Sequence, residues 1–177
     1  DLDWREPFAL VTPRGAPQLR DSKKLSAQQR DILYEYIVNH GRLKHAAGLV
    51  DAHTIDSIGI VNATHEAAAI AINGLGIRSE RVSVLLDAGL KVADHWKQES
   101  FVRGDEKYPV IALASIIANV TRDRYMEELG RQHSAYSFEQ HKGYGTLVHR
   151  RAIARSGLSV FHRTTFCTRL STARSGV

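Results

Sequence analysis

Apolar and polar positions recur with a helical period over several stretches of this chain. Ser26, with Gln29 three residues on, has the form of a capping box. It predicts a helix to about Asn39, with Ile32, Leu33, Tyr36 and Ile37 on one face and Gly41 as its stop. Residues 43–50 read as a strand, and residues 51–60 as a short helix. Residues 62–72 are rich in Ala and Ile at helical spacing, and Asn73-Gly74 and Gly76 end that helix. Residues 81–87 form a short β-branched run with few polar positions, as in a buried strand. A further short strand is expected to end at Arg103-Gly104-Asp105. Residues 111 to about 129 are uninterrupted and amphipathic, which predicts a long helix, and 146–155 predict a shorter one. Pro7, Pro13, Gly15 and Pro17 break up the first twenty residues. Strands alternating with helices predict an α/β fold. With no repeat or linker visible, residues 1–177 are expected to form a single domain, with 1–15 atypical and 168–177 a frayed tail.

Composition narrows the class. A chain of 177 residues with 43% hydrophobic and 24% charged positions has the makings of a soluble domain with its own core. No apolar run approaches the roughly 18 residues that a membrane span needs. No secretory leader is visible, and the chain opens on Asp rather than Met, which leaves room for residues upstream. The lone Cys167 excludes an internal disulfide and a cysteine-rich zinc site, and suits a reducing cytoplasm.

Charge placement says more than the net value of +5. No Asp or Glu follows Glu139, and residues 141–177 hold seven cations: Lys142, Arg150, Arg151, Arg155, Arg163, Arg169 and Arg174. An acidic-leaning body with a basic final quarter suits a polyanion such as nucleic acid. A solvated basic tail with no partner is the plainer alternative.

Three features could carry chemistry. Asp87 closes an apolar strand, and Asp105 follows the next extended segment. Carboxylates at strand ends sit at the rim of a sheet, where α/β folds place ligands. Two meeting there would make a hard oxygen site for Mg²⁺ or Mn²⁺, able to activate water against a phosphodiester. Each could equally cap the turn that follows it, which is the commoner fate of Asp. His141-Lys142-Gly143-Tyr144-Gly145-Thr146 sets a tyrosine between two glycines on a turn. That ring can stack on a sugar or base, with Lys142 beside it as a phosphate contact; an ordinary loop tyrosine is the alternative. His162-Arg163, in the basic tail, is a candidate phosphate contact. The nine histidines show no metal-ligand spacing, and most are expected at the surface or in the core.

Six strings, taken together, resemble the ribonuclease HII family: Asp-Ser-Lys-Lys-Leu (21–25), Val-Leu-Leu-Asp (84–87), Gly-Asp (104–105), Ala-Ser-Ile-Ile-Ala-Asn-Val-Thr-Arg-Asp (114–123), His-Lys-Gly-Tyr-Gly-Thr (141–146) and His-Arg-Thr-Thr-Phe (162–166). They fall in the family's order, from about residue 16 to 166. The resemblance implies a ribonuclease H-like mixed sheet flanked by helices, with a C-terminal helical extension. It implies a monomeric, cytoplasmic endonuclease that cuts the RNA strand of RNA·DNA hybrids and ribonucleotides embedded in duplex DNA. Two-metal hydrolysis with Mg²⁺ or Mn²⁺ would leave 5′-phosphate and 3′-hydroxyl ends. By resemblance Asp87 and Asp105 are metal-binding catalytic carboxylates. Tyr144 senses the ribonucleotide's 2′-hydroxyl, and Lys23, Lys24 and Ser115 lie near the substrate backbone; Asp123 ends a matching string.

Two departures stand out. The family's Asp-Glu-x-Gly-Arg-Gly motif, which supplies two more carboxylates, has no match in these residues, and Asp1, Asp3 and Glu6 do not replace it. Asn119 stands where the family usually has Lys. A hybrid-binding protein or fragment with impaired catalysis is therefore the alternative expectation.

Overall fold

The computed structural model describes residues 24–168. The expectations for residues 1–15, for Lys23 and for the tail past Thr168 lie outside the described residues. Two compact units divide the rest. Unit 1 takes the described residues up to Gly48 together with His65–Val120; unit 2 takes Leu49–Thr64 and the described residues from Thr121 onward.

Unit 1 begins with α1 (Ala27–Asn39). The expected capping box is present: the Ser26 hydroxyl accepts from the Gln29 amide at 3.2 Å, and the Gln29 side chain accepts from the Ser26 amide at 2.9 Å. Such a cap stabilises a helix start by about 1 kcal/mol. Leu33 and Ile37 are buried and pack with Leu25 against Leu113, Ile116, Ile117 and Val120 of α5 (Pro109–Gln132). The helix ends at Asn39 as expected, on an extended His40 that precedes Gly41.

No strand forms at residues 43–50. Among the described residues this segment has no strand to pair with. It lies instead against α3 (Ile60–Gly74), and a Cβ at Gly48 would fall on the Ala67 carbonyl.

β1 (Ser83–Asp87) and β2 (Lys97–Phe101) run parallel, with Asp87 opposite Phe101. Leu86 is the buried member of β1, and it joins Ile72, Val92 and Trp96 in a second apolar cluster. The Gln98 amide closes the connection between the strands by bonding both the N–H and the C=O of Val92 at 3.0 Å.

Unit 2 holds α2 (Ala52–Ile58), the later part of α5, a 3-10 turn at Ser134–Tyr136, α6 (Phe138–His141), α7 (Leu147–Ser156) and a last 3-10 turn at Thr164–Phe166. Its core is Leu129, Tyr136, Phe138 and Ala152, with Met126 and Phe161 packed on it. Gly130 lets α6 approach closely, since a Cβ there would stand 2.7 Å from the Glu139 amide nitrogen. The Asp56 carboxylate of α2 accepts from the amides and hydroxyls of both Thr164 and Thr165. Helices joined to a parallel strand pair make the α/β class expected, with helical elements following α5 toward the C-terminus. No helix among the described residues is long and apolar enough to cross a membrane.

Candidate active site

Asp87 is the last residue of β1, and its Oδ1 accepts from the Gly104 amide at 2.9 Å. Its carbonyl accepts from the Ser100 hydroxyl at 3.2 Å and the Leu90 amide at 3.1 Å. Gly104 is buried, and a Cβ there would stand 2.7 Å from Ile111 Cδ1 and 3.4 Å from Asp87 Oδ1. The close approach of carboxylate and backbone therefore needs glycine.

Asp105 is not at a strand end. β2 stops at Phe101, Arg103 takes a left-handed conformation (φ 56°, ψ 46°), and Gly104–Lys107 wind into a helical turn, α4, with Asp105 in it. The bond from Gly104 to Asp87 therefore ties β1 to the residue just before Asp105. Lys24 also reaches α4, its ammonium 3.6 Å from the Glu106 carboxylate, which Arg103 holds at 2.7 Å. The hydrogen bond from Arg103 is the main reason that the Glu106 carboxyl titrates below its ordinary range. Asp87, Asp105 and Lys24 are thus gathered about α4.

Carboxylate oxygens at the C-terminal end of parallel strands are the donor type that Mg²⁺ or Mn²⁺ prefers, and Mg²⁺ commonly uses one or two carboxylates completed by water and substrate phosphate. Among the described residues no group of three or more His, Cys, Asp or Glu side chains is placed to hold a metal. Two shallow depressions of unit 1, one beside Ile77 and Val82 and the other beside His65 and Lys91, are lined by neither carboxylate. Ser115, half-buried on α5, accepts from the Asn119 amide at its carbonyl (2.9 Å).

In unit 2 the chain leaves α6 through two consecutive left-handed residues, Lys142 (φ 50°) and Gly143 (φ 82°). Tyr144 follows with 59% of its surface exposed. Its hydroxyl accepts from Arg122 at 2.9 Å, and the guanidinium carbon lies 4.7 Å from the ring centroid. Arg122 also donates to Asp123 at 2.8 Å. An exposed ring is thereby held by a cation rather than packed in a core.

Lys142, expected as a phosphate contact, donates at 2.6 Å to both the Glu127 carboxylate and the Glu139 carbonyl. Arg163 lies over the Phe166 ring at 4.0 Å. The structure revises His162: it is 5% exposed and both of its ring nitrogens are engaged, Nδ1 by Ser159 and Nε2 by His149. A basic neighbour in the sequence suggested a surface role, whereas packing against Tyr136 and Phe138 takes the ring inside.

Arg122, His141 and His149 were missed as partners of this turn. Arg122 lies 22 positions from Tyr144, and nothing in a single sequence ties the two. The sequence separates His141 and His149 by eight positions. It gave no hint that their rings stack 4.1 Å apart across α6 and α7.

A parallel strand pair that closes on Asp87, a helical turn bearing Asp105 and flanking helices belong to a ribonuclease H-like α/β protein. The family model described as Ribonuclease HII matches residues 16–169. Ribonuclease HII of Endomicrobium trichonymphae is 42% identical over 160 residues, spanning 89% of this chain and 75% of that protein. The Syntrophus aciditrophicus ribonuclease HII is 41% identical over 89% of this chain and 74% of its own. That of Bacillus mycoides is 43% identical over 89% of this chain, which spans 61% of the relative's length. The chain belongs to the ribonuclease HII family, and by family it is a type II ribonuclease H.

Proposed function

We propose that this protein is an endonuclease that hydrolyses the RNA strand of RNA·DNA hybrids and cuts at ribonucleotides embedded in duplex DNA. Products would carry 5′-phosphate and 3′-hydroxyl ends. Asp87 and Asp105 would hold Mg²⁺ or Mn²⁺, and the bound metal would supply charge neutralisation at the phosphodiester and an activated water. The observation that carries the reading is the Asp87–Gly104 hydrogen bond, which sets one carboxylate beside the turn bearing the other. Tyr144 would stack on the sugar and sense the 2′-hydroxyl, the group that distinguishes RNA from DNA. Lys23, Lys24, Ser115 and Arg163 would meet the backbone, and Lys142 would do so on exchanging Glu127 for phosphate. The protein would act as a monomer in the cytoplasm, where a lone thiol stays reduced.

The same residues support a second reading, a hybrid-binding protein with little or no cleavage. It is favoured by the sequence, in which the Asp-Glu-x-Gly-Arg-Gly motif that supplies two more carboxylates has no match. One experiment separates the two. Purified chain is incubated with Mg²⁺ or Mn²⁺ and an end-labelled duplex containing a single ribonucleotide. Nicking at that nucleotide, lost in Asp87→Asn, supports the nuclease. Salt-sensitive binding without nicking supports the second reading, and neither binding nor nicking overturns both.

A further inference from the structure

Unit 2 buries three histidines, His141, His149 and His162, at 5%, 6% and 5% exposure. Their partners fix where every ring proton sits. A backbone N–H can only donate, so the Ser159 amide, 2.9 Å from His162 Nδ1, makes that nitrogen an acceptor and puts the proton on Nε2. That proton points at His149 Nε2, 3.0 Å away, which must then be an acceptor as well. The proton of His149 is left on Nδ1, 3.0 Å from the Tyr144 carbonyl, which can only accept. His141 follows the same logic: Nδ1 accepts from the Gly143 amide at 3.2 Å, and Nε2–H donates to the Tyr136 carbonyl at 2.8 Å.

Both chains end on the turn that bears Tyr144. The His141 carbonyl also accepts the Tyr144 amide at 2.8 Å, and the Tyr144 carbonyl takes a second bond from Thr146 at 2.7 Å. From these contacts we infer that His141, His149 and His162 are positioning residues, a neutral and tautomer-locked histidine chain that fixes the backbone of Tyr144 and so the presentation of its ring to nucleic acid. The part concerning nucleic acid rests on the reading of Tyr144 given above.

An added proton would disrupt this arrangement. On His149 Nε2 it would meet the His162 N–H head-on; on His162 Nδ1 it would displace the Ser159 amide and leave the Ser159 hydroxyl, 2.7 Å away, to accept it; on His141 Nδ1 it would meet the Gly143 amide. The titratable and charged groups facing the chain are the three rings themselves and Tyr136 from the turn before α6. Through Tyr144 the Arg122 guanidinium of α5 joins them, and through the turn so does the Lys142–Glu127 ion pair. Burial, reinforced by the neighbouring histidines, holds His149 and His162 below the ordinary histidine range, in keeping with neutral rings at those two positions.

The test is nitrogen-detected NMR on the full chain labelled with ¹⁵N-histidine at neutral pH. The expected pattern is Nε2–H on His141 and His162 and Nδ1–H on His149; any other tautomer, or a charged ring, overturns the inference. His149→Phe removes both ring bonds and should shift the Tyr144 amide and speed its hydrogen exchange roughly tenfold or more, the order expected for one lost buried hydrogen bond. His149→Asn, which keeps a donor near the Nδ1 position, should restore most of that protection. An unmoved Tyr144 amide in a folded His149→Phe protein overturns the inference. Should that variant not fold, the tautomer pattern and His149→Asn decide. Tyr144→Ala is assayed in parallel for discrimination between a ribonucleotide-containing duplex and plain DNA. If that variant discriminates like wild type while His149→Phe still frees the Tyr144 backbone, the nucleic-acid role of the ring fails and the positioning stands.

Discussion

The carboxylate edge and the tyrosine turn are built on opposite plans. Asp87 gives Oδ1 to a single backbone amide, and its neighbours Lys24 and Arg103 have side chains that are 61% and 67% exposed. Tyr144 has its amide, carbonyl and hydroxyl all engaged, and buried rings lie behind its backbone. On the proposed function, a group that would meet a hydrated cation keeps solvent-facing surroundings, whereas one that would present a ring face needs a backbone that does not move. One device is shared. Arg103 stands two residues before Asp105 and Lys142 two before Tyr144, and each takes the left-handed region despite carrying a side chain. Each costs about 1–2 kcal/mol, and each redirects the chain at the point where the candidate group follows.

The sharpest way to break the comparison is at the open edge. Asp87→Asn and Asp105→Asn should each lower cleavage of a single-ribonucleotide duplex by about a hundredfold to a thousandfold, as loss of one group stabilising developing charge does. The thermal midpoint should stay nearly unchanged. A large fall in stability with cleavage retained would make these carboxylates structural. Phe138→Ala attacks the closed side. Phe138 is 1% exposed and its ring meets those of Tyr136, His141, His149 and His162. Truncation should cost about 3–5 kcal/mol in urea denaturation and strip hydrogen-exchange protection from Tyr144. A loss under 1 kcal/mol would mean that the turn is not held from behind.

A smaller effect is expected at the ring itself. Tyr144→Ala should reduce the preference for ribonucleotide-containing duplex over plain DNA by about tenfold, the scale of one stacking contact. Tyr144→Phe keeps the stack and loses the Arg122 bond, so it should fall between alanine and wild type in a competition-binding titration. If phenylalanine is as poor as alanine, the hydroxyl and not the ring face carries the preference.

What could be read along the chain was local. The Ser26–Gln29 box, the short helix that begins about Thr146 and the close of β1 at Asp87 each rest on a few neighbouring residues, and all are present. Asp105 was misplaced because a four-residue helix is shorter than any periodicity window, and because the left-handed Arg103 leaves no mark in residue type. The strand expected at residues 43–50 depended on a partner that no local pattern supplies. His162 was misread because its exposure depends on Phe138 and Tyr136, which arrive from a distant segment. The Arg122–Tyr144 pair and the histidine chain are likewise tertiary, and single-sequence spacing carries no information about them.

The smallest effect separates two layers within unit 2 by acid. Asp56 accepts hydrogen bonds from the Thr165 side chain first, then the Thr164 side chain and both amides, and its carboxyl is lowered from 3.8 to about 2. A carboxyl depressed in the folded state adds stability that is fully present above the unfolded value and is lost as pH falls through the folded one. The tie between α2 and the last 3-10 turn should therefore hold until pH approaches about 2. His149 and His162 are lowered from 6.5, chiefly by burial, so their neutral contribution is complete above that value and fades as pH drops below it. Acid titration followed by amide NMR should accordingly show two events: Tyr144 and Gly143 shift first, and Thr164 and Thr165 only near the acid limit. Asp56→Asn should remove the second event and leave the first. Simultaneous movement of all four amides would mean that one cooperative unfolding step, not two independently titrating anchors, governs this unit.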